Sequence, residues 1–133
     1  MERYEEALED INRAIELDPK DDWYRYLRSL IYLAFQQAVS AKADLNIAIE
    51  IAQQKHTKKT GNCENTFNLA LYHLVAGNLS SAQELYQTAL EQTALQTKIR
   101  NAIQDLKDLL RVFPENTSAQ EVKAVLEKKL KLH

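Results

Sequence analysis

The sequence predicts an all-α protein, a stack of antiparallel hairpins with about seven helices in one domain. Three observations carry this. Ala7, Ile11, Ala14, Ile15 and Leu17 return 34 residues later as Ala41, Leu45, Ala48, Ile49 and Ile51. A fixed period of roughly 20–50 residues marks a repeat architecture, and this one suits a helix–turn–helix unit. Apolar residues also recur at helical spacing along most of the chain. Finally, two glycines, two prolines and 45% hydrophobic residues fit helices joined by short turns.

Residues 2–17 are predicted as the first helix. Tyr4, Leu8, Ile11 and Ile15 repeat at helical spacing with Ala7 and Ala14 beside them, and Asp18-Pro19 stops the run. Residues 22–36 follow, capped by Asp21 or Asp22. This second helix is apolar around most of its circumference, which calls for packing on most sides. Arg25, Arg28 and Ser29 break it on one stripe, and Arg25 or Arg28 is expected to meet a carboxylate of the first helix. Residues 38–56 form the third helix, by analogy with the first.

Seven extra residues then interrupt the period, since Ala41 to Ala82 spans 41, and residues 55–63 read as a basic loop. The next hairpin is 64–76 and 79–92, with Ser80 or Ser81 capping its second helix through a capping box. Residues 95–113 are strongly periodic. Either a new helix begins near Ala94, or the fifth and sixth helices fuse into one long bent helix. A last helix, 118–130, starts at a Ser118/Glu121 capping box and turns its lysines outward, as a terminal cap does.

The alanine-then-large-apolar pairs Ala7–Ile11, Ala41–Leu45, Ala82–Tyr86 and Ala102–Leu106, with Pro19 and Pro114 each twelve residues after an alanine, resemble the tetratricopeptide repeat family. The family's first-helix pattern is degraded here: Arg25, Arg28, Ser29 and Tyr32 in one copy, Thr66, Leu69, Ala70 and His73 in the other. The resemblance is good over 1–93 and loose over 94–133. It implies a right-handed superhelical stack, divided into a half repeat 1–21, repeats 22–56 and 64–93, and a degenerate hairpin with its cap over 94–133. A second helix without its first at residues 2–17 suggests the C-terminal fragment of a longer protein.

The resemblance further implies a non-catalytic scaffold that binds a peptide or protein segment in a concave, largely apolar groove. Its groove residues would be Trp23, Tyr26, Leu30 and Leu33, then Phe67, Asn68, Leu71 and Leu74. Only Asn68 suits the polar clamp with which some members hold a chaperone's carboxylate tail, so chaperone-tail binding is not expected. A second candidate surface is the basic loop with Lys55, Lys58 and Lys59. A third is a self-association face of Tyr4, Ala7, Ile11 and Ala14, which would form a homodimer if nothing covers it, with Leu8 and Ile15 turned toward the second helix.

Other classes find less support. A net charge of −2 argues against a general nucleic-acid binder, although the chain begins acidic and ends basic. Cys63 is the only cysteine, which excludes an internal disulfide. Neither His56, Cys63 and His73 nor any other set offers a nucleophile with its base, or ligands at metal spacing, so no enzyme activity, metal or cofactor is expected. No apolar run suits a membrane span, and Met1 is followed by acidic residues rather than a signal peptide, so the expected location is cytoplasmic. The competing reading is a weak nucleic-acid-binding or regulatory sensor domain of a larger signalling enzyme.

Overall fold

Proline or asparagine stands at several of the helix boundaries. The computed structural model describes residues 2–58, 62–93 and 95–131. It has seven helices among them: α1 (Glu2–Leu17), α2 (Asp22–Ala34), α3 (Ala38–Lys58), α4 (Cys63–Ala76), α5 (Leu79–Gln92), α6 (Gln96–Val112) and α7 (Thr117–Lys131). No strand occurs among the described residues.

The caps show the local logic. Asp21 accepts a hydrogen bond from the Tyr24 amide at 3.2 Å, and Asn62 from the Asn65 amide at 3.2 Å. Gly77 closes α4 in the left-handed conformation, φ 90°, with the Asn78 amide returning to the His73 carbonyl at 2.8 Å. α2 stops earlier than the predicted Gln36, because Gln36 itself adopts φ 62°. Two predicted caps move. Ser80 and Ser81 lie inside α5, which follows Asn78. Ser118 lies inside α7, and Asn116 instead accepts from the Ala119 amide at 3.0 Å.

The fifth and sixth helices are separate. Thr93 is extended, and its hydroxyl accepts the Leu95 amide at 3.0 Å, which satisfies a donor that a continuous helix would have paired.

Packing follows the small residues. Ala41, Ala48 and Ala52 of α3 are fully buried, which lets α2 and α4 approach closely. Ala70, Ala82 and Ala89 do the same between α4 and α5. α1 packs on α2, α6 on α4, and α7 on α6.

Two buried carboxylates tie the array together. Asp44 of α3 receives Arg28 of α2 bidentately, Nε to Oδ2 at 2.6 Å and Nη2 to Oδ1 at 2.7 Å, while Arg25 stands 3.6 Å away. Arg28 Nη1 also donates to Asn12 of α1 at 2.9 Å. The expected pairing with a first-helix carboxylate is thus corrected: Arg28 meets an amide on α1 and a carboxylate on α3. Asp22 of α2 accepts from Tyr72 of α4 and from Lys55 of α3, each at 2.6 Å. Charge-assisted bonds of this kind offset the cost of burying each carboxylate.

Candidate functional site

Of the eight predicted groove residues, Tyr26, Phe67, Leu71 and Leu74 are buried core. α6 closes over them. It runs alongside α4, with Lys98 bridging Glu64 at one end and Leu109, Val112 and Phe113 beside Leu33 and Val75 at the other. Its face of Ile99, Ala102, Ile103, Leu106 and Leu109 is buried in the same core. An open groove along α2 and α4 is therefore corrected at these four positions. α6 has a broad apolar face that must be buried, and the apolar sides of α2 and α4 accept it. Tyr26 records this closeness. Its hydroxyl pKa is pushed far above the ordinary value by burial, and further by the carboxylates of Asp105 and Asp108 on α6.

The other four groove candidates are half-buried. Trp23 packs at a tilt against Tyr26 at 4.9 Å and reaches Tyr72 at 6.4 Å between ring centres. Asn68 lines a small polar cleft of about 200 Å³ with Glu64, Lys98, Asn101 and Asp105. Burial, then the charge of Asp108, raises the Asp105 pKa to about 6. Leu33 lines a cleft of about 620 Å³ that α6 and the 113–116 turn form with Val75.

Leu30 lines a different cleft, of about 440 Å³, whose walls are mainly apolar. Its walls are Tyr4, Ala7, Asp10 and Ile11 of α1, Leu27, Leu30 and Ile31 of α2, and Val112 of α6. Asp10 is the one charged residue among them, and it makes no ion pair among the described residues. Three of the four residues expected on a self-association face, Tyr4, Ala7 and Ile11, therefore line a cleft within one chain. Ile11 is 9% exposed and packs toward α2 rather than outward, which corrects its predicted orientation. Ile15 is buried, while Leu8 and Ala14 are half-buried. Tyr4 also meets Phe35 edge-on at 5.6 Å.

The basic loop is corrected too. Lys55 and Lys58 sit in the last turns of α3, and Lys55 is held by Asp22. Lys59 lies outside the described residues. His56 Nδ1 is 3.3 Å from the Thr66 hydroxyl, and Asn78 Nδ2 is 3.1 Å from His73 Nδ1. Burial holds the His73 pKa below its usual value. No group of three or more metal-ligating side chains occurs among the described residues. No helix among them is long and apolar enough to cross a membrane.

Sequence reasoning missed Val112 and Asp10. Asp10 had a legible signal: it stands 34 residues before Asp44, inside the recurring pattern. Comparison with protein-family models gives no match, and no curated protein matches the chain, so the functional reading rests on the geometry of the α1/α2/α6 cleft.

Proposed function

We propose that the chain is a tetratricopeptide-like, non-catalytic scaffold that binds a peptide or protein segment. The observation that carries this reading is the apolar cleft between α1, α2 and the end of α6, with its single charged wall residue. Concave apolar sites with few placed polar groups are the usual form of a recognition site, and amphipathic segments dock in such grooves through a few anchors. The predicted groove contributes Leu30 to it, while Tyr26, Phe67, Leu71 and Leu74 lie in the core that α6 shares.

The test is selection of binders from a displayed peptide library on the full chain, followed by two variants. Val112→Asp puts a charge into the cleft, and Ala7→Trp fills it. Both positions are at least partly exposed, so the fold should survive, which circular dichroism checks. Binding should fall at least about tenfold in each. Selected peptides that ignore both substitutions would overturn this site.

A further inference from the structure

The recurring pattern places two corners of the molecule in equivalent positions, and only one of them is filled by a helix. In the filled corner α2 lies against α3 and α4. On α3 it meets the face of Ala41, Asp44, Leu45 and Ala48, and its Arg28 binds Asp44. On α4 it meets Tyr72, on which Trp23 and Tyr26 pack at 6.4 and 5.2 Å.

Stepping back 34 residues turns that α3 face into Ala7, Asp10, Ile11 and Ala14 of α1. Stepping back 41, the offset that includes the insertion, turns Leu71 and Tyr72 of α4 into Leu30 and Ile31 of α2. Ala7, Asp10, Ile11, Leu30 and Ile31 are all walls of the apolar cleft. The cleft is thus the counterpart of the place where α2 sits one repeat later. Asp10 is the counterpart of Asp44, without its arginine.

We infer that this cleft receives an amphipathic helix of a partner protein, laid as α2 is laid on α3 and α4, with an arginine of that helix paired to Asp10. The charge argument is direct. A lone carboxylate on an apolar wall favours a cationic group, and a planar guanidinium can reach both oxygens as Arg28 does at Asp44. A second copy of this chain is the weaker occupant. Its helix of the required chemistry is α2, which is already held between α1 and α3 through Asn12 and Asp44. The inference rests on the cleft being the protein-binding site, and adds the occupant's conformation and charge.

The probe is a fluorescein-labelled synthetic peptide copying residues 21–36, titrated into the full chain and followed by anisotropy. Saturable binding is expected, weakened about tenfold or more by Asp10→Arg. A peptide carrying Arg28→Glu should restore binding to the Asp10→Arg protein. Asp10 is exposed, so an unchanged thermal melt is expected of the variant. Saturable binding that Asp10→Arg leaves untouched would overturn the inference. If library-selected peptides nonetheless depend on Val112 and Ala7, the cleft would remain a binding site. No saturation by the probe up to about 1 mM, a free energy near −4 kcal/mol, also overturns it. A dimer in sedimentation that Asp10→Arg dissociates would make the occupant a second copy, and would overturn the assignment to a partner protein.

Discussion

Helices α1 and α3 carry the same alanine seam, yet the molecule completes only one of them. Ala41 and Ala48 have no exposed surface, and Asp44 beside them is 3% exposed and bound by Arg28. Their counterparts Ala7 and Ala14 are half-buried, and Asp10 is exposed. The difference lies in the neighbours. α3 is enclosed by α2 and α4, whereas α1 rests chiefly on α2. A residue pattern therefore specifies which face can be buried, and the adjoining helices decide how far it is.

The strongest way to break this comparison is steric. Ala41→Trp should overpack the α2–α3 seam and cost about 3 kcal/mol, since the site has no room. Ala7→Trp should stay within about 0.5 kcal/mol of the parent, because it projects into a cleft. Equal melting temperatures for the two would erase the distinction. The electrostatic counterpart comes next. Arg28→Ala removes the bidentate partner of a buried carboxylate, leaves it only Arg25 at 3.6 Å, and should cost about 2 kcal/mol by denaturant titration. Asp10→Ala should cost roughly nothing, as exposed charges without partners do.

The smallest of the gains and losses set by a buried group concerns Asp105, a half-buried carboxylate that, unlike Asp44, pairs with no arginine among the described residues. Its pKa is raised from 3.8 to about 6, mainly by burial. The fold thus favours the uncharged acid. That contribution is complete below about pH 4 and is lost as pH rises through about 6. Asp105→Asn should match the parent near pH 4 and exceed it above about pH 6. After allowance for solvent screening the gain is about 1 kcal/mol. Parallel stability curves for parent and variant across this range would count against the assignment.

Most of the helices were legible because their apolar periodicity is long and their boundaries carry Asp, Asn, Gly or Pro. The break between α5 and α6 was legible only as one of two alternatives, since Thr93 is neither glycine nor proline and acts through its hydroxyl. Asn116 was passed over for a nearby serine, although asparagine caps helices equally well, and Asn78 precedes α5 without a side-chain capping bond. The groove was read one level too soon. Helical spacing marks Phe67, Leu71 and Leu74 as a face needing cover, but nothing local says that α6 provides it. The α1/α2/α6 cleft depends on where α6 ends, a tertiary fact with no sequence signature at Val112.

The carboxylate of Asp22 has a kinetic consequence. Helical arrays whose units touch only their neighbours can open piecemeal from either end. Asp22 binds partners 33 and 50 residues away, on two different helices. The start of α2 cannot then fray without releasing the Tyr72 hydroxyl, which lies in the middle of the core. Amide protons in α2 and the middle of α4 should accordingly exchange with solvent in one shared opening event, and Tyr72→Phe should split that event in two.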